Sequence, residues 1–254
     1  LSYQLKNGSS YILERKSVTF SASGGNEYAP QQGSRLIKFQ LAANEFMDPS
    51  TFRFQFTLQN KDTTATRRLR PISGPWCFFR RVRVECNGQT IEDYDLNRCQ
   101  ELTESLKARA VRYNDNITHF GYTWDTAGAW NKDNMEGIQG NSSMTVLFKP
   151  NCGILNQPKF LYLKACPITF EFELVNDVTD CVISKNINDI VVTDPTAGNI
   201  NTSTQWVINN PLIKVDLLTL DSGLLNEFTN HLNTDGKTIP ISFETYITQS
   251  QNVA

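Results

Sequence analysis

Apolar and polar residues alternate with a period of two along much of the chain, which is the pattern of a half-buried β-strand. In the clearest run four large apolar residues share one face: Phe52, Phe54, Phe56 and Leu58. Similar alternation recurs in three further segments: 168–174, 213–217 and 239–247. We therefore predict a strand in each segment. The apolar residues of 52–58 should point into a core between two sheets.

Shorter runs of the same kind predict further strands at 17–23, 35–42, 78–86, 143–149 and 159–164. Asn87-Gly88 separates the strand ending at Cys86 from a strand at 89–92. Both turn residues tolerate positive φ, so this dipeptide predicts a tight hairpin. The sequence shows no internal repeat and no linker. It predicts one all-β domain over residues 1–254, with eight to ten strands.

Two segments have the three- and four-residue spacing of a helix. The first contains Leu96, Cys99, Leu102 and Leu106, and the second contains Leu224, Leu225, Phe228 and Leu232. Asp93 or Asp95 can cap the first helix, and Asp221 or Ser222 the second. We predict two short helices whose apolar stripes face the core.

Composition agrees with a β protein that carries long polar loops. The 254 residues include 24 Asn, 24 Thr and 15 Phe, and these residue types favour turns and strands. Polar stretches at 112–141 and 176–205 predict the longest loops. A net charge of −2 argues against a dedicated DNA-binding module. No apolar run approaches the roughly 20 residues of a membrane-spanning helix.

Chemistry-bearing residues are scattered. No two cysteines form a CxxC pair, so we predict buried free thiols and a reducing compartment. His119 and His231 lie far apart, and no nucleophile elbow, P-loop or dinucleotide fingerprint is present. The acids Glu92, Asp93 and Asp95 suit a helix N-terminus better than a glycosidase pair. We predict no enzymatic activity, and no catalytic, cofactor or metal site.

Charge is arranged in two adjacent blocks of opposite sign. Residues 61–83 sum to +6, and residues 85–104 sum to −5. The blocks could neutralise each other within the domain, set the register of neighbouring copies in an assembly, or bind a phosphate backbone. Candidate inter-subunit contacts are the charged residues of these blocks and two loop tryptophans: Arg67, Arg68, Arg70, Arg80, Arg81, Glu92, Asp93, Asp95, Trp124 and Trp130.

Several stretches resemble a known family. Residues 48–60 (DPSTFRFQFTLQN) and 69–95 (LRPISGPWCFFRRVRVECNGQTIEDYD) resemble the double jelly-roll major capsid proteins of Polinton-type, virophage-like and related double-stranded DNA viruses. Residues 11–28 are similar to the segment that opens their first jelly roll. Residues 211–228, followed by ETYITQSQ at 244–251, are similar to its closing element.

The resemblance implies a jelly-roll β-sandwich that forms the N-terminal half of a tandem protein. It implies a structural role in the virion, with trimeric, pseudo-hexameric capsomers building an icosahedral shell after assembly inside the host cell. The implied partners are copies of the chain, neighbouring capsomers, and penton and minor capsid proteins, without sequence-specific nucleic acid or a transmembrane segment. No catalytic residue is implied.

Two other functions remain open from the residues. Trp124, Trp130 and Tyr122 could stack on sugar rings in a carbohydrate-binding β-sandwich, either lectin-like or receptor-binding. A single jelly-roll minor or penton capsid protein would show the same strand pattern. The size of the purified particle separates these functions, because a shell protein forms trimers or larger assemblies.

Overall fold

The computed structural model describes residues 11–31, 35–108, 110–112, 119–120, 137–183, 202–234 and 238–249. Ten strands lie within these ranges: β1 (Ile12–Ser21), β2 (Glu27–Tyr28), β3 (Leu36–Leu41), β4 (Phe46–Asn60), β5 (Phe79–Cys86), β6 (Gln89–Asp95), β7 (Ser143–Phe148), β8 (Leu161–Tyr162), β9 (Ile168–Leu174) and β10 (Trp206–Leu220). A short 3-10 helix covers Pro75–Phe78. The α-helices are α1 (Leu96–Leu106), α2 (Gly153–Asn156) and α3 (Ser222–Asn233).

The strands form two antiparallel sheets packed face to face. Sheet A has the order β1-β10-β4-β7, with β2 beside β10 and β8 beside β4. Sheet B has the order β3-β9-β5-β6. Most neighbours in each sheet are distant along the chain, and this interleaving of two four-strand rows is the jelly roll. The all-β jelly-roll prediction is confirmed.

Phenylalanines fill the space between the sheets. Phe52, Phe54, Phe56 and Leu58 of β4 are all fully buried, as their period-two spacing predicts. Phe54 is central, and its ring centroid lies 4.4 Å from that of Phe172 in the opposite sheet. Full burial of such a side chain stabilises the fold by about 1.5–3 kcal/mol.

Antiparallel pairing places four connections at one end of the sandwich, including the two longest between the described strands, 96–142 and 175–205. Residues 22–35 join β1 to β3 across β2, 61–78 join β4 to β5, 96–142 join β6 to β7, and 175–205 join β9 to β10. Each of these connections starts and finishes at the end where Asn60 pairs with Trp206. We call this the long-connection end. Connections at the end of a sandwich need not enter its core, so this end can carry long ones.

Helix α1 buries a different face from the predicted one. Asp95 caps it, accepting a hydrogen bond of 3.0 Å from Arg98 N. Its buried residues are Leu96, Gln100 and Glu104, whereas Leu102 and Leu106 are 63% and 79% exposed. The predicted stripe was correct for Leu96, which is fully buried, and wrong for Leu102 and Leu106. Gln100 and Glu104 can be buried because they bond to each other, and Gln100 also accepts from the Asn151 backbone N–H.

Helix α3 is only half-buried along its predicted stripe. Its N-cap is Asp221, which is one of the two residues predicted to cap it. Phe228 packs on the rings of Phe46 and Tyr162, with centroids 5.1 and 5.5 Å away. No residue of the helix is fully buried, so α3 lies on the surface of the sandwich beside the start of β4.

The strand predicted at 239–247 is absent, since residues 238–249 form no helix or strand and lie outside both sheets. Side chains hold the segment in place: Tyr246 OH accepts from Asn151 at 2.6 Å, and Thr248 Oγ1 accepts from Asp95 N at 3.0 Å. Gly153 allows the contact, since a Cβ there would lie 1.7 Å from Glu244 O. The period-two pattern does not encode the hydrogen bonds that make a strand.

The expectation of free cysteines was wrong for two of the six. Cys86 at the end of β5 forms a disulfide with Cys166, with a Cα–Cα distance of 5.8 Å. Cys166 lies just before β9, the neighbour of β5. Cys77, Cys99, Cys152 and Cys181 are free, and all but Cys99 are buried.

Candidate subunit interface

The fold gathers several of the candidate contact residues at the long-connection end. Arg67, Arg68 and Arg70 lie in the connection between β4 and β5. Arg80 is the second residue of β5, and Asp95 ends β6 at the same end. Trp124 and Trp130 fall outside the described residues, as does Tyr122.

Arg67 contributes to the local structure of its own loop. Its Nη1 lies 3.3 Å from Asp62 Oδ2, and the Asp62 carboxylate also accepts from Thr64 N at 2.9 Å. Burial tends to raise the pKa of Asp62, but these donors outweigh it and hold the pKa below its usual range. The fully buried Asn60 joins the same loop, since its amide donates to the Arg67 and Ile138 carbonyls.

The two arginines that follow differ in exposure. Arg70 is buried, with 3% of its surface exposed, and so contacts groups of its own domain. Arg68 is half-buried, and its carbonyl accepts from Ser203 N. No carboxylate of the described residues lies within ion-pair distance of the Arg68 side chain. Of the two, Arg68 has the exposure that a contact with another subunit needs.

A row of alternating charges crosses the outer face of sheet B. Lys38 lies opposite Glu171, Glu171 opposite Arg83, and Arg83 opposite Asp93. The successive ion-pair distances are 2.9, 3.7 and 3.5 Å. Arg81 also pairs with Asp93 through two hydrogen bonds, which lower the pKa of that carboxyl group. Two cations of the basic block, Arg81 and Arg83, thus pair with Asp93 of the acidic block across the β5–β6 hairpin.

Glu92 is buried and holds the adjacent segment. Its two carboxylate oxygens accept from Gly153 N at 2.9 Å and Ile154 N at 2.6 Å, at the start of α2. Burial raises the pKa of Glu92, although these donors and the Thr245 hydroxyl act in the opposite direction. With 2% of its surface exposed, Glu92 cannot contact another subunit in this conformation, so its candidacy is withdrawn.

We expect Glu92→Gln to alter the pH dependence of stability. The folded state takes up a proton at Glu92 at a higher pH than the unfolded chain does, so this group favours folding increasingly as pH falls through its folded pKa. Urea unfolding at pH 7 and pH 5 should show wild type gaining stability relative to the variant at the lower pH. An unchanged difference would contradict the raised pKa of Glu92. The control is Glu173→Gln, the same change at a half-buried glutamate of β9.

No metal or membrane feature appears in the part of the chain that the structure describes. There, no three His, Cys, Asp or Glu side chains group as metal ligands. The His119 ring lies against Trp76, with centroids 5.1 Å apart, and His231 sits in the last turn of α3. No described helix is long and apolar enough to cross a bilayer.

Sequence comparison with known protein families and with curated proteins gives no match. Comparison with solved structures does give matches. VP54 of PBCV-1, fitted into a cryo-EM reconstruction of the virophage Sputnik, has a TM-score of 0.53 and 14% identity. A chain of the Sputnik virophage solved by cryo-EM has a TM-score of 0.51 and 11% identity. The chain has the jelly-roll fold of viral capsid proteins.

The capsid-type jelly roll seen here covers less than half of those proteins. The match to VP54 spans 85% of this chain and 44% of the other, and the match to the Sputnik chain spans 84% and 49%.

Sequence reasoning missed Arg35 and Asn176, which lie next to the candidate contact Arg80. Arg35 and Arg80 both donate to the side-chain oxygen of Asn176. These residues are far apart in the chain and become neighbours only through the β3-β9-β5 order of sheet B. No spacing in the sequence could have indicated that contact.

Proposed function

We propose that this chain is a structural subunit of a viral capsid and not an enzyme. The observation that carries the proposal is the interleaved strand order of the two sheets, in a fold similar to capsid chains of PBCV-1 and Sputnik at TM-scores of 0.53 and 0.51. A rigid sandwich with its long connections at one end presents large loops for contact with neighbours without disturbing its core.

The finer proposal concerns assembly. The chain forms one jelly roll of a tandem pair, and trimers of the whole protein make pseudo-hexameric capsomers of an icosahedral shell within the virion. Support comes from the length comparison, in which this jelly roll matches less than half of each capsid chain. Its partners are copies of itself, neighbouring capsomers, and penton and minor capsid proteins.

Particle size and intact mass test this proposal. Analytical ultracentrifugation of the purified protein should show trimers or larger species. The intact mass of the native protein should be near twice the 28.8 kDa of this chain. A small particle that binds a glycan array would contradict the capsid role and favour the carbohydrate-binding alternative.

Charge reversal at two neighbouring arginines separates assembly from stability. Arg68→Glu should leave the melting temperature unchanged and weaken self-association, because the side chain is half-exposed and has no described carboxylate partner. Arg70→Glu should lower the melting temperature of the folded chain itself, because it places a carboxylate where a buried guanidinium lies. Thermal melting beside sedimentation checks both. Unchanged assembly of Arg68→Glu would remove this residue from the interface.

A further inference from the structure

Two guanidinium groups converge on one neutral oxygen at the long-connection end. Arg80 Nη1 lies 3.1 Å from Asn176 Oδ1, and Arg35 Nη1 lies 3.2 Å from the same atom. Neither arginine has a carboxylate within ion-pair distance among the described residues. Two like charges that share a neutral acceptor repel each other, so the pair is short of negative charge.

A cleft of about 340 Å³ opens beside this pair. It lies between the start of α1 and the chain that follows β9, and it is lined mainly by Arg80, Asn97, Arg98 and Asn176. Arg98 stands at the rim, where its side chain is 71% exposed and its Nε lies 3.5 Å from Asp95 Oδ2. Arginine donors and side-chain amides in a cleft suit an oxyanion, since guanidinium groups bind carboxylates with fixed geometry.

The charge balance limits the size of that oxyanion. Asp95 and Asp180 also line the cleft, so with Arg35, Arg80 and Arg98 the neighbourhood has three cations against two acids. One carboxylate would neutralise it. A nucleic-acid backbone would bring several negative charges against Asp95 and Asp180.

We infer that this cleft binds a single carboxylate from an acidic side chain of a second copy of the chain. The inference rests on the proposed self-assembly, and it assigns Arg80 a role more specific than its place in a basic block. Exposed acids outside any described ion pair could supply this carboxylate, among them Glu14, Glu227 and Glu244. Pairing such as this fixes the register between subunits.

The test compares self-association of wild type with an Arg35→Ala/Arg80→Ala variant, using sedimentation over a range of concentrations. We expect the dissociation constant of self-association to rise by up to roughly tenfold in the variant. The melting temperature of its dilute monomer should not fall, because two mutually repelling charges are removed. Lys214→Ala is the control, since it removes an exposed cation from sheet A, and it should associate like wild type.

The outcomes are distinguishable. A wild type that stays monomeric overturns the proposed assembly, and this inference with it. A wild type that associates, together with a variant that associates equally well, overturns the inference alone. If millimolar glutarate or inorganic phosphate raises the melting temperature of wild type but not of the variant while association is unchanged, the cleft takes a free anion and the copy-derived carboxylate is wrong.

Discussion

Phe54→Asp is expected to abolish soluble folding. The Phe54 side chain has no exposed surface and contacts the rings of Phe39, Phe79, Phe148 and Phe172 from both sheets. Removing a buried phenylalanine ring alone costs about 3–5 kcal/mol. A carboxylate at the same place adds the cost of burying an unpaired charge. The sum approaches or exceeds the roughly 5–15 kcal/mol by which most domains are stable.

The measurement is the soluble fraction after expression, followed by near-ultraviolet circular dichroism of any soluble protein. Gln55→Asp is the matched control, because Gln55 is the next residue of β4 and lies on the half-exposed outer face. It should express and fold like wild type. A soluble Phe54→Asp protein with a native spectrum would show that this face of β4 is not the core.

Loss of the disulfide is the second large effect. Cys86 and Cys166 close a loop with a sequence separation of 80. The chain-entropy relation gives such a cross-link about 4 kcal/mol, because it restricts the unfolded chain. Under non-reducing conditions, the Cys86→Ser/Cys166→Ser variant should therefore unfold at a distinctly lower urea concentration than wild type.

Two controls isolate the bond from the side chains. Dithiothreitol should bring wild type close to the variant and leave the variant unchanged, whereas the free-thiol variant Cys99→Ser should keep the response to reductant. Denatured wild type should show four reactive thiols of six. Six reactive thiols, or a wild type indifferent to reductant, would contradict the disulfide.

The strands were predictable from sequence wherever one face of a sheet is buried and the other is exposed to solvent. Phe52 to Leu58 and Ile168 to Leu174 alternate so regularly because the packing of two sheets requires it. The same logic failed at 239–247, where the chain contacts the sandwich through Tyr246 and Thr248. Ile247 is 93% exposed there, so alternation alone specifies neither burial nor the partner edge that a strand needs.

Features that depend on long-range neighbours were not predictable. Leu102 and Leu106 have helical spacing, but the facing surface offers Asn151, which bonds to Gln100, so the polar face of α1 turns inward. Cys86 and Cys166 meet only because β5 and β9 are adjacent. At the candidate interface, sequence gave the charges of Arg70 and Glu92 but not their burial, which is decided by the chain folded over them.

The position of β10 has a consequence for how the chain reaches its native state. This strand is the last of the ten described, yet it lies inside sheet A, between β1 and β4. Arg15 of β1 and Asp216 of β10 form an ion pair although they are 201 positions apart. Among the described strands, β1 has no other hydrogen-bonded neighbour. On the ribosome, sheet A therefore lacks its central strand until residue 220 has emerged, and β1 stays without its partner strand until then. Such non-local pairing makes folding slow and exposes strand edges meanwhile, so the domain cannot be completed before β10 is synthesised, and crowded expression at high temperature favours aggregation over folding.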